Sequence, residues 1–114
     1  MQDSQPLTTA MFHVLLALAD GDKHGYAILK EVDSRTNGEV QLGTGTLYGI
    51  IKRLLINDMI AEVRHSGAKN NDPRRRYYKL TDLGRDTAIA EAKRLEKLVA
   101  DARSKRLIKT FKTT

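Results

Sequence analysis

The sequence contains no cysteine. That absence excludes a disulfide framework, a thiol nucleophile and any thiolate zinc site. Long apolar runs are missing too. The most apolar stretch, "MFHVLLALA" from Met11 to Ala19, is short, contains His13 and lacks a cleavable signal layout, so neither a membrane span nor a signal peptide is expected and the expected location is cytoplasmic. No glycine-rich phosphate loop and no convincing pair of carboxylates is present, and neither Ser34 nor Ser66 has a base partner in view. Catalysis is therefore not expected, and no cofactor. His24 beside Asp20 and Asp22 offers only one short cluster with no second set of ligands, which argues against a metal site.

What the chain does have is positive charge. Its 114 residues suffice for one domain, and 20 Lys and Arg against 14 Asp and Glu give a net charge of +6, which favours an anionic partner. The excess is uneven. Between Arg64 and Lys79 six basic residues (Arg64, Lys69, Arg74, Arg75, Arg76, Lys79) stand against the single Asp72. A second group, Arg103, Lys105, Arg106, Lys109 and Lys112, contains no acid; at a helix end these cations suit the helix dipole and are read as solvated.

Apolar periodicity organises the rest. Leu7, Met11, Val14, Leu15 and Leu18 mark one face of a helix after Pro6, and Ile28, Leu29 and Val32 mark a second helix from about His24 to Thr36, stopped by Asn37-Gly38. Tyr26 in that helix is expected to pack or hydrogen-bond within the fold. A third helix opens at Gly43-Thr44, with Thr44 the expected N-cap and Leu47, Ile50, Ile51, Leu54 and Leu55 buried. Its other face carries Thr46, Tyr48, Gly49, Lys52 and Arg53. "MIAEVRH" and "RRYYKLT" then read as strands around the turn-rich "SGAKNNDP". Strand alternation sends Tyr78 and Leu80 to the core and Arg75, Tyr77 and Lys79 to the opposite side. Thr81 caps a last helix, expected from Asp82 to Lys109, whose Ala88, Ala92, Leu95, Val99 and Ala102 recur at spacings of four and three. Such a helix, about 42 Å long, would overhang a compact body of this size, about 34 Å across, and the overhanging seam is expected to pair with the same helix of a second subunit.

Three helices, a hairpin and basic residues on that hairpin make a mainly α winged helix-turn-helix, expected over 1–80, followed by a dimerisation helix and basic tail over 81–114. In that motif the third helix enters the major groove of double-stranded DNA and the hairpin, or wing, lies along the backbone. "GTLYGIIKRLLINDMI" from Gly45, "HGY" at His24 to Tyr26 and "RRRYYKLTDLGR" from Arg74 resemble the PadR family of bacterial transcription regulators. The resemblance implies a homodimeric repressor that binds an inverted-repeat operator. It implies that Tyr48 contacts the DNA backbone, that Thr44, Thr46, Lys52 and Arg53 line the groove-facing side, and that Arg74, Arg75 and Arg76 belong to the wing. Gly49 stands where the family often has proline, and is read as allowing close approach to DNA; Asp58 stands where glycine is common and tolerates the left-handed region. Some small members of the family bind flat aromatic drugs between subunits using a tryptophan. This chain has none, and no aromatic between Tyr78 and Phe111, which argues against a stacking pocket and leaves the effector open. The rival expectation is a winged helix used as a protein-interaction or assembly module, without specific DNA binding.

Overall fold

The computed structural model describes residues 7–64 and 76–109. Helices α1 (Thr9–Ala17), α2 (Gly25–Arg35) and α3 (Thr44–Ile56) precede strands β2 (Ile60–Val63) and β3 (Tyr77–Leu80) and the long helix α4 (Asp82–Ser104); a two-residue strand β1 (Lys23–His24) lies between α1 and α2. The sheet is antiparallel in the order β1-β3-β2, with Lys23 opposite Tyr78, His24 opposite Tyr77 and Ile60 opposite Leu80. This is a winged helix with a third strand that the sequence pattern did not suggest. A strand of two residues is too short to show alternation.

Helices α1, α2 and α4 each start where a side chain takes up a free backbone N–H. Thr8 accepts from Met11 at 3.1 Å, His24 Nδ1 from Ala27 at 3.2 Å, and Thr81 from Gly84 at 3.0 Å; such caps contribute about 1 kcal/mol each. The start of α3 differs from expectation. Gly43 is its N-cap, with no side-chain bond, and Thr44 is the first helical residue. Asn37 and Gly38 have positive φ and end α2, and Asp58, at φ 59°, turns the chain from α3 into β2.

The expected apolar faces converge on one core of Val14, Leu15, Leu18, Ile28, Val32, Leu47, Ile51, Leu54, Ile60 and Tyr78. Tyr26 does not join it. The stripe Ile28 and Val32 faces inward, and Tyr26 lies two residues before Ile28, about 200° around the helix; it is 60% exposed.

Helix α4 is shorter than expected. It ends at Ser104, where Arg106 turns to positive φ and the Leu107 N–H returns to the Ala102 carbonyl at 2.9 Å, a left-handed C-terminal cap. Its 23 residues span about 35 Å. The described residues still form an elongated body, with a radius of gyration of 16.3 Å and extents of 51 × 37 × 25 Å. The first turn of α4 is anchored by the Thr81 hydroxyl, which donates to the Asp58 carbonyl at 2.6 Å, and by Arg85, which donates to the Ala19 carbonyl at 3.3 Å. Gly84 lies directly on the Met59 carbonyl, so that a Cβ there would occupy the same space.

The Gly84 contact is with backbone and leaves no side chain to move aside. Gly84→Ala is expected to lower stability by about 1–3 kcal/mol, towards the upper end, in urea unfolding. His13 supplies a pH dependence. Burial first, and then the Arg35 guanidinium beside it, hold its imidazole below the ordinary value near 6.5; Arg35 donates to His13 Nδ1 at 3.0 Å and to the His13 carbonyl at 3.2 Å. The unfolded chain therefore takes up a proton near pH 6.5 that the folded chain refuses, and stability falls as pH drops through that region. Urea midpoints should decline below about pH 6.5, and less steeply in His13→Asn; equal slopes in the two proteins would remove His13 as the cause.

Candidate nucleic-acid interface

Burying Leu47, Ile51 and Leu54 turns the opposite side of α3 to solvent. Gly45, Tyr48, Gly49, Lys52 and Ile56 follow at spacings of three, one, three and four, a single exposed stripe, with Thr44 and Thr46 exposed in the first turn. Tyr48 is 48% exposed. Nothing lies within 4 Å of the space a Gly49 side chain would fill, so the backbone here is open to an approaching surface. Arg53, at the flank of the stripe, is half-buried.

The wing begins beside α2. Burial of Tyr78 leaves Tyr77 half-buried and Lys79 exposed on the other face of β3. Tyr77 meets His24 edge-on, with ring centroids 5.3 Å apart. His24 in turn caps α2, and β1 pairs with β3, so the start of α2 is fastened to the wing strand. On its other side α2 meets α3: a Cβ on Gly25 would collide with the Tyr48 hydroxyl, so glycine lets the Tyr48 ring lie across the helix start. Burial, followed by the nearby Glu62 and Tyr48, pushes the Tyr78 phenol above its ordinary value. It stays neutral under all ordinary conditions, as a core anchor must.

Several of the cations are paired within the chain. Lys23 reaches Asp20 at 2.5 Å and Glu31 at 3.5 Å, Arg35 reaches Glu31 at 3.3 Å, and on α4 Arg94 and Lys97 pair with Glu91 and Asp101. Among the described residues Lys52 and Lys79 have no carboxylate in ion-pair reach. Arg76, at the base of the wing, makes only a long 3.8 Å contact with Glu62, both side chains largely exposed. Arg74 and Arg75 lie outside the described residues. The structure thus brings Tyr48 of the α3 stripe and Tyr77 together around the start of α2, with Lys79 further along the same face of β3 and Arg76 at the edge.

Tyr26 was missed as a candidate surface residue. The helical period that buries Ile28 and Val32 was the signal that would have exposed it.

The sequence profile described as the Transcriptional regulator PadR-like family matches residues 14–90. The chain belongs to this family. An uncharacterized protein X of Lysinibacillus sphaericus is 32% identical over 72 residues, covering 63% of this chain and 64% of that protein. An uncharacterized 37.1 kDa protein in transposon Tn4556 of Streptomyces fradiae is 36% identical over 89 residues, covering 78% of this chain but 24% of that protein. The chain therefore spans less than two thirds of the length of the curated relatives it matches. Among solved structures, a transcriptional regulator from Clostridium thermocellum superposes with a TM-score of 0.69 at 26% identity, covering 83% of this chain and 86% of that one. A PadR family transcription regulator from Clostridium difficile gives 0.71 at 23% identity, covering 85% and 97%. Bacillus subtilis PadR in complex with operator DNA gives 0.63 at 18% identity, covering 76% and 48%; the last two likenesses are of fold. Among the described residues no helix is long and apolar enough to cross a membrane, and no group of three side chains is placed to hold a metal ion.

Proposed function

We propose that this PadR-like chain is a cytoplasmic transcriptional repressor that binds an inverted-repeat operator as a homodimer, without a cofactor. The observation that carries this reading is the exposed α3 stripe with Lys52 and Gly49, joined through the start of α2 to a wing strand that shows Lys79 outward. A helix with one buried face and an open, cationic other face fits the major groove, and strand cations beside it fit the adjoining phosphates. The complex of Bacillus subtilis PadR with operator DNA supports the same use of this fold. Thr44, Thr46, Lys52 and Arg53 would line the groove, Gly49 would allow close approach, and Tyr48, Arg74, Arg75, Arg76, Tyr77 and Lys79 would face the backbone. A small-molecule effector is left open.

The division of labour proposed is a DNA-binding part over 1–80 and a dimerisation part over 81–114. Of the α4 seam, Ala88 packs against the core of its own chain, while Ala92, Leu95, Val99 and Ala102 lie beyond it. Ile89, Leu98 and Val99 are 47%, 50% and 39% exposed. Joining two such helices about a two-fold axis covers that surface and sets two copies of α3 on one face of the duplex.

Binding to a duplex selected from a random pool tests the reading. Arg76→Ala and Lys79→Ala should weaken binding to all sequences alike and lower the salt slope by about one unit each, because phosphate contacts carry little sequence information. Lys52→Ala should instead relax preference at one base pair, by about 1–3 kcal/mol if its contact is to a base edge. A protein with no sequence preference among duplexes would be the interaction module instead.

Dimerisation is tested separately. Burying a leucine or valine contributes about 1.5–3 kcal/mol, and a two-fold axis counts each residue twice. Leu95→Glu combined with Val99→Lys should give a folded monomer by sedimentation and circular dichroism, with a steep loss of operator affinity. A double variant that stays dimeric at micromolar concentration would place the interface elsewhere.

A further inference from the structure

Tyr26 is 60% exposed, although it sits at the start of a helix whose inner face is fully packed. Its ring is nonetheless held. The His24 imidazole is nearly parallel to it, at 11° with centroids 6.5 Å apart, and Lys30, one turn further along α2, places its ammonium 5.8 Å from the ring centroid. A phenol and an ammonium are thus presented side by side on the outer face of α2.

The acids of α2 are turned elsewhere. Glu31 holds Lys23 and Arg35, and Asp33 accepts from Gln41 at 3.4 Å. Lys30 has no carboxylate in ion-pair reach among the described residues, and the ring beneath it is neutral. The pair is also next to the candidate interface: Gly25, the preceding residue, lies under the Tyr48 hydroxyl of α3, and His24, which stacks on Tyr26, touches Tyr77 of the wing.

We propose that Tyr26 and Lys30 form a further contact of this chain with duplex DNA, to the phosphate backbone beside the groove that α3 enters. The inference rests on the DNA-binding reading above and adds residues to it. In a helix-turn-helix the helix before the recognition helix crosses the backbone, which is the position α2 occupies relative to α3. The ligand chemistry fits: a tyrosine hydroxyl donates to a phosphate oxygen, and a lysine is a flexible point charge suited to the same group. The cation–ring contact keeps Lys30 near its working position before DNA arrives, which reduces the entropy lost on binding. A contact from α2 would position the protein without reading sequence.

The experiment uses the full chain, a duplex selected by the wild-type protein from a random pool, and the variants Lys30→Gln and Tyr26→Phe. Lys30→Gln should lower the salt slope by about one unit with unchanged sequence preference. Tyr26→Phe should leave the slope unchanged, because no charge is removed, but should abolish ethylation interference at one phosphate in each half-site. Both residues are exposed and both variants should melt like the wild type. If the wild type binds with sequence preference while both variants keep its slope and interference pattern, this contact does not exist although the DNA-binding reading stands. A lower melting temperature of Lys30→Gln with an unchanged slope would mean that the pair serves only the helix, and altered preference at a base pair would mean a contact to a base edge; either result overturns the proposal. If the wild type selects no duplex at all, the DNA-binding reading falls and this inference with it.

Discussion

The burial of one side chain, Tyr78, governs what this fold presents to its surroundings. β3 is the middle strand of the sheet, paired on one side with β1 and on the other with β2. Side chains on a strand alternate, so a shift of one residue would exchange its two faces completely. With Tyr78 only 3% exposed and neutral, that shift would take a large aromatic ring out of the core and put a lysine in its place. The cost of burying an unpaired ammonium excludes it. Tyr77 and Lys79 are outward because Tyr78 is inward.

The same strand fixes the position of two helices. Its pairing with Lys23 and His24 sets the start of α2, and His24 then does three things at once: it pairs in the sheet, caps the helix through Nδ1 and meets Tyr77 edge-on. At its other end β3 runs into Thr81, whose hydroxyl both donates to the Asp58 carbonyl and accepts the Gly84 N–H. A residue that joins the turn after α3 to the first turn of α4 makes the direction of the long helix depend on α3. In the proposed dimer, an operator geometry set by α4 pairing would be transmitted through Thr81 and the close Gly84–Met59 packing.

Much of this was legible in the sequence because it follows from periodicity. The buried sides of α1, α2 and α3, the alternation of β3 and the caps at Thr81 and Asn37-Gly38 each rest on a local pattern that tertiary packing reinforces. What was not legible depended on partners distant in sequence. β1 is a strand only because Tyr77 and Tyr78 pair with it, and its two residues carry no pattern of their own. The capping role of His24 comes from the extended conformation that this pairing imposes. Helix α4 was drawn too long because Lys105, Arg106, Leu107 and Ile108 are individually compatible with a helix; the turn at Arg106 is stabilised by the return bond to Ala102, which propensity does not reveal. Thr44 looked like a cap by residue type, whereas at Gly43 the backbone alone satisfies the geometry, with its carbonyl accepting from Leu47 at 2.8 Å.

Tyr26 shows how function and periodicity separate. General preference places a tyrosine in a short helix against the core, yet the positions of Ile28 and Val32 leave it no room there. A folded chain gains nothing obvious by exposing an aromatic ring, since a polar residue at that position would keep the helix equally well solvated. Its ring lies parallel to His24, which meets Tyr77 edge-on, and the neighbouring Gly25 lies against the Tyr48 hydroxyl, so tyrosines of α2, α3 and β3 gather around one helix start. Tyrosine offers a rigid ring with a donor at its tip and only two rotatable bonds, so placing three of them around one helix start builds a set of hydroxyl donors at low entropic cost. Lysines on the same elements supply charge. In the proposed DNA reading this combination suits a polyanion whose phosphates recur at regular spacing, and glycine stands at position 25 because a larger residue would displace the Tyr48 hydroxyl from the group.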